Sequence, residues 1–354
     1  MNFASKDPSK DSLKINFMKL ISIDGKSILD YAGRGIFGFS CESIWNFTKN
    51  KFYNPTICLP TEGVLKVEQD GKIFDINIED YFYKSFSITN FNIKIDGVPK
   101  RRWVYGKSNK VEFLKKEAIL YIYLDNLYED SDFISKIKEL GKNKKIKKIV
   151  IDVRDCYGGS DLAWKNVLKA IIKDPLSYKI DLAYNDTEIM RKKFKEYEKI
   201  SKPETITWLN NQKVRIINEE SYITPDDNSL KYNGKIYVLT DEEEIRSAAN
   251  PFVAYCSYQD KLVSVGTVSN RLSGFDKKTT LFQLKHSKYT FRLSTTMDIT
   301  NCTKPEDIYH AFPEVIVNPS FEDGFLYKYS IYDTKSEEYL RKYDNIFKKV
   351  LELE

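Results

Sequence analysis

The spacing of apolar positions changes at about residue 118, and that change divides the chain. Before it the period is two. Lys19-Leu20-Ile21-Ser22-Ile23 alternates like a strand and stops at Asp24-Gly25, a tight-turn dipeptide. Gly63 to Ile76 alternates around Asp70-Gly71 and predicts a hairpin. Between them, Glu42 to Phe52 is expected to form a short helix. The pattern therefore predicts a polar, disordered tail over residues 1–12, a β-rich module over 13–98 and a linker over 99–117.

From Ala118 onward, continuous apolar runs alternate with helical spacing. Ala118 to Leu124 and Lys147 to Val153 read as deeply buried strands. Ser131 to Leu140 between them has helical spacing, and Gly158-Gly159-Ser160 breaks the chain before a helix from Leu162 to Ile172. Gly234 to Thr240 is a third strand, Ser247 to Tyr258 a helix, and Leu262 to Gly266 a fourth strand. A hairpin is expected at Leu281–Leu284 and Tyr289–Ser294, then Pro313-Glu314-Val315-Ile316-Val317. This is α/β organisation, running over residues 118–320. About residues 174–232 read as an insertion built on a charged amphipathic helix, Asp186 to Ile200, either an outer helix or a helical lid over a cleft. Residues 321–354 form a C-terminal extension with an amphipathic helix from Ser336 to Leu351.

Composition narrows the function. Apolar residues make up 42% of the 354, enough for large cores, so whole-chain disorder is excluded. Fifty-six basic against 51 acidic residues leave a net charge of only +5, which argues against a nucleic-acid binder. No apolar run approaches the roughly 18 residues of a membrane span. Five dispersed cysteines form no C-x-x-C pair, and His286 and His310 are the only histidines, so no metal or cofactor site is spelled out. With Met1 as the native start the chain is expected to be cytoplasmic; with a leader removed, extracytoplasmic. Oligomeric state is not readable.

Two turns carry candidate chemistry. In Asp152-Val153-Arg154-Asp155-Cys156-Tyr157-Gly158-Gly159-Ser160, a buried strand enters a double glycine and then a helix. Glycines there let backbone approach a ligand, and helix-start amides favour negative charge. In Thr240 to Asn250 a strand ends in a polar loop, and Ser247 stands where a helix begins. By spacing alone Ser247 is an N-cap, the residue type that helix starts prefer.

Taken in order, these turns and their flanks resemble the C-terminal processing, or tail-specific, serine peptidases, related to the tricorn protease core. The landmarks are Asp152-Val153-Arg154 with Gly158-Gly159, Val238-Leu239-Thr240-Asp241, Ser247-Ala248-Ala249, Val265-Gly266 and Pro313 to Val317. The resemblance implies a crotonase-like (ClpP/tricorn-type) core of repeated β-β-α units. Ile21 to Ile28 is similar to a stretch of the PDZ domain that this family often carries, which implies a partial PDZ-like module. It implies Ser247 as nucleophile, and an oxyanion hole from the Ala248 amide and the Gly158-Gly159 turn. The implied substrate is a peptide or an unfolded protein, held in a groove where it could add as a strand.

The bases of that family have no counterpart here. Its lysine position aligns with Leu272, beside Arg271, and its histidine position with Tyr123. Lys277, Lys278 and His310 are the substitutes the chain offers, the last with Glu306 or Asp307 to orient it. Cys156 is a candidate thiol or an inert core residue. Two functions follow: a serine peptidase with a rearranged base, or a catalytically impaired homologue that binds peptide or a partner.

Overall fold

The computed structural model describes residues 2–6, 15–27, 44–46, 51–53, 63–69, 71–77, 109–241, 245, 247–270, 279–319, 323, 327 and 333–354. The chain divides into two compact units: Met1–Trp103 with Pro319–Asn345, and Val104–Asn318 with Ile346–Glu354.

The second unit holds a mixed α/β fold. Its strands and helices begin β1 (Lys110–Leu114), β2 (Ile119–Tyr123), α1 (Ser131–Gly141), β3 (Lys148–Asp152) and α2 (Asp161–Ile171). They continue with β4 (Leu176–Asn185), α3 (Glu188–Lys193), β5 (Lys202–Ile206), β6 (Gln212–Ile223) and β7 (Ile236–Thr240). Then come α4 (Ala249–Cys256), β8 (Leu262–Gly266), β9 (Ser269–Asn270), β10 (Thr279–Gln283) and β11 (Thr290–Ser294). The last are β12 (Met297–Asp298), α5 (Glu306–Tyr309), β13 (His310–Ala311) and β14 (Val315–Ile316).

A six-stranded sheet runs β14-β8-β7-β3-β2-β1. All pairs are parallel except β1 with β2. Burial explains the parallel pairing: β2, β7 and β8 are buried at every position, as a sheet covered on both faces requires. One face carries Leu120, Ile122, Ile149, Ile151 and Val238 into the core shared with Phe133, Trp164 and Phe252. Trp164 stacks on Phe252 with ring centroids 5.0 Å apart, joining α2 to α4. On the other face Tyr121 meets Phe347 edge to face. Phe347 lies on a helix over Asn345–Glu352, and Lys148 donates to the carbonyls of Val350, Leu351 and Leu353 at its end. A lysine there satisfies carbonyls that a helix terminus leaves open.

A second sheet, β5-β6-β4-β12, is antiparallel throughout. Its three longer strands lie within residues 174–232 and correct the expected helical lid. The charged segment yields only the six-residue α3 and a short 3-10 turn, Lys195–Tyr197. The governing signal is the period-two burial of Leu176, Tyr178, Ile180 and Leu182. Tyr184 then packs on Phe194, which fastens the turn of charged residues to the sheet.

In the first unit, Asn2–Lys6, Ile15–Ile23, Val64–Gln69 and Lys72–Asn77 form antiparallel neighbours, with Lys26–Ser27 paired to the second. The hairpin around residues 70–71 is the one its alternation predicts. The short helix expected over Glu42 to Phe52 is corrected: Ile44–Asn46 and Lys51–Tyr53 pair as strands, in keeping with their β-branched and aromatic residues. The single helix expected over Ser336 to Leu351 is two, Glu337–Lys342 and Asn345–Glu352. Tyr343-Asp344 interrupts it, and aspartate prefers helix ends to interiors.

Candidate active site

Because β2, β3 and β7 are parallel neighbours, the loops that follow them leave the same edge of the sheet. In open α/β sheets that carboxyl edge is where ligands bind. The turn after β3 is held by a buried ion pair. Asp152 is fully buried and Arg154 is 2% exposed. Arg154 donates Nε to Asp152 Oδ1 at 2.9 Å and Nη2 to Oδ2 at 2.7 Å. The Arg154 amide also donates to Oδ1, and the Tyr121 hydroxyl donates to Oδ2 at 2.7 Å. The motif letters Asp-x-Arg thus have an internal use: they clamp the start of the turn to the neighbouring strand.

Past this clamp the chain pairs with the loop after β2. Leu127 donates to the Gly158 carbonyl, and Ser160 donates to the Leu127 carbonyl, both at 2.8 Å. This is a parallel bridge between Leu127 and Gly159. Gly159 has φ +145°, and a Cβ there would stand 2.3 Å from the Leu127 carbonyl oxygen. Only glycine accepts both conditions. In such a bridge the N–H of the bridged residue points away from its partner. The Gly159 amide therefore does not face Leu127, and Gly159 is exposed. The Gly158 amide faces the Cys156 sulfur instead.

On the β7 side lies Ser247. It is exposed, while Ala248 and Ala249 behind it are buried. Its φ is +52°, in the left-handed region. For a residue with a Cβ that conformation costs about 1–2 kcal/mol, and such strain concentrates at functional sites. The Asn250 amide donates to the Ser247 carbonyl at 3.0 Å, and α4 starts two residues after the serine. The N-cap reading of Ser247 gives way: the cap of α4 is Ala248, and no side chain caps it. The two loops are linked directly, because the Asp155 amide donates to the Asp241 carboxylate at 3.3 Å. Strand β8 keeps its place beside them through Gly266, where a Cβ would lie 2.0 Å from the Thr240 carbonyl oxygen.

The candidate bases fare differently. Lys277 and Lys278 lie outside the described residues, as do Arg271 and Leu272. His310 is on β13, which pairs with β9. Ala311 is buried in the core with Ala249 and Phe252 of α4, so strand alternation puts His310 on the opposite face. There its ring meets Phe312 edge to face, and its buried Nδ1 has no partner among the described residues. Burial lowers the His310 pKa and keeps the ring neutral, while the Glu306 carboxylate works the other way. Asp307 accepts from the Thr303 and Lys304 amides in its own turn. Tyr123 donates its hydroxyl to Asp125 at 3.1 Å. His286 is exposed in the turn between β10 and β11.

Cys156 is inert. Burial first, and then Asp125, Asp241 and Asp152, push its thiol up to about 12. Iodoacetamide at about pH 8 is expected to leave Cys156 unmodified until the chain unfolds, because the thiolate is the reactive form. Peptide mapping checks this, and alkylation of Cys156 in the native protein would contradict the burial argument. Among the described residues no three His, Cys, Asp or Glu side chains are grouped to hold a metal, and no helix is long and apolar enough to cross a membrane.

The motif positions were legible in sequence; the ion-pair clamp and the Asp155–Asp241 link were not. A comparison with curated proteins returns no match. The model of peptidase family S41 matches residues 118–306. Among solved structures, mature CPAF is similar at TM-score 0.53 and 13% identity, over 99% of this chain and 82% of that one. A candidate peptidase from Parabacteroides merdae ATCC 43184 is similar at TM-score 0.47 and 16% identity, over 69% of this chain. The match spans 64% of that protein's own length. The photosystem II D1 C-terminal processing protease is similar at TM-score 0.34 and 12% identity, over 85% of this chain and 63% of that one.

Proposed function

Since the chain belongs to peptidase family S41, we propose that it is a serine peptidase-like hydrolase in which Ser247 attacks the carbonyl carbon of a peptide bond in a peptide or unfolded protein. One observation carries the reading. An exposed serine in a left-handed backbone conformation stands just before the cap of α4, on a loop that the Asp155–Asp241 hydrogen bond ties to the turn carrying Gly158-Gly159.

In this reading the oxyanion that forms after attack is held by the amides of Gly159 and Ala248. Neither amide has an acceptor among the described residues. Gly158 supplies the bend, its own amide being directed at Cys156. Donors fixed in advance of the reaction contribute a few kcal/mol each, since nothing reorganises as charge develops. The positive end of the α4 dipole adds to the same field. We read the surrounding core as crotonase-like, with repeated β-β-α units, and the β-rich first unit as a partial PDZ-like module.

Attack also requires a proton acceptor within hydrogen-bond reach of the serine. Lys277 and Lys278 are the sequence's candidates; β13 turns His310 to the face opposite α4. Tyr123 at the family's histidine position favours the second reading, a catalytically impaired homologue that binds peptide through the same groove.

A fluorophosphonate probe separates the two. An active enzyme is labelled at one serine, and Ser247→Ala is expected to remove the label and lower peptide hydrolysis by roughly 10³-fold or more. Labelling that survives Ser247→Ala would remove Ser247 from the mechanism. No labelling, together with peptide binding, selects the impaired homologue.

A further inference from the structure

A cavity of about 450 Å³ lies between α1 and α2, beside the loop that follows β2. Leu127, the residue bridged to Gly159, forms part of its wall. The cavity thus adjoins, through Leu127, the turn that carries the proposed oxyanion donor. An extended peptide advances about 3.3 Å per residue, so a long side chain of a peptide held at that turn can extend toward the cavity.

The lining has two characters. Leu127, Phe133 and Val167 give an apolar floor, and Glu129, Ser135 and Asn166 give a polar rim. Other polar groups on the wall are committed elsewhere. Asp130 caps α1 by accepting from the Asp132 and Phe133 amides. Asp226 accepts from Lys138 at 2.6 Å. Asn109 accepts from the Asp125 and Asn126 amides. The Glu129 carboxylate at the rim is exposed. Among the described residues no lysine or arginine lines the cavity.

We infer that this cavity is a specificity pocket for a lysine or arginine side chain of the peptide. The apolar floor fits a long methylene stem, and Glu129 at the rim takes the cationic head; long basic side chains bury the stem and keep the charge in water in this way. The inference rests on the serine peptidase reading only for the position of the peptide and says nothing about whether the bond is cut.

The test uses the full-length Ser247→Ala protein, which cannot consume its ligand. Fluorescein-labelled peptides of alanine, glycine and serine are titrated, each with one lysine, arginine, norleucine or glutamate at successive positions. At one position lysine and arginine are expected to bind about tenfold more tightly than norleucine, the worth of one charge-assisted hydrogen bond. Glu129→Gln is expected to bring that ratio close to one, and Asn166→Trp to remove the advantage of any long side chain. Equal binding of lysine and norleucine at every position overturns the inference, as does a ratio unchanged by Glu129→Gln or no binding of any basic peptide. Fluorophosphonate labelling of the wild type reports the hydrolase reading independently. Labelling without a charge preference removes the pocket alone, and a charge preference without labelling leaves the pocket and removes hydrolysis.

Discussion

Replacing Asp152 with alanine is expected to lower the unfolding free energy by about 3–5 kcal/mol. The carboxylate is fully buried and among the described residues accepts four hydrogen bonds, three from Arg154 and one from Tyr121. Removing it takes away the carboxylate with which a guanidinium, 2% exposed, pairs among the described residues. The loss is that of a buried cation stranded, which is larger than the net worth of the pair itself. Asp152→Asn keeps the shape and removes the charge, so its cost should approach that of alanine. Tyr121→Phe removes one hydrogen bond to the carboxylate and should cost about 1–2 kcal/mol. Removing both charges together, as Asp152→Leu with Arg154→Met, should cost less than Asp152→Ala alone. Chemical denaturation of the four variants checks the order. A loss below about 1 kcal/mol for Asp152→Ala would mean that other groups carry the Arg154 charge.

The same residues show how far the sequence could be read. Continuous apolar runs such as Ile149-Val150-Ile151 are legible as buried parallel strands because burial on both faces removes the polar alternation. The order of those strands follows from α helices placed between them. The insertion is a different case. Its strands alternate clearly at Leu176 to Leu182, but its densest charge pattern, Asp186 to Ile200, has helical spacing and draws attention from them. There the tertiary sheet decides, and a six-residue helix is what remains.

Site chemistry was legible only where the chain keeps a motif together. Ser247 and Gly158-Gly159 stand out as letters, whereas the left-handed backbone at Ser247 and the outward Gly159 amide are properties of pairing. His310 shows the limit: a lone histidine near the last strand invites a catalytic reading, and only the burial of Ala311 reveals which way the strand turns it. The cavity could not be read at all, since its walls gather residues as far apart as Asn109 and Asp226.

Gly159→Ala should abolish function while leaving most of the protein intact. A methyl group at φ +145° is strained by about 1–3 kcal/mol, and it would also stand 2.3 Å from the Leu127 carbonyl oxygen. That oxygen belongs to backbone, so relief comes only by opening the Leu127–Gly159 bridge. Opening it swings the Gly159 amide off the carbonyl oxygen it is proposed to hold. The expected result is a fall in fluorophosphonate labelling or hydrolysis by about 10²–10³-fold, the effect of losing one oxyanion donor. Ser160→Ala is the control. It removes the side chain that caps α2 through the Leu162 amide and should cost about 1 kcal/mol of stability, but it leaves the glycine backbone in place. If both variants lose reactivity equally, the loss follows local stability rather than the direction of the Gly159 amide. If Gly159→Ala folds and reacts as the wild type does, the amide has no part in holding the oxyanion.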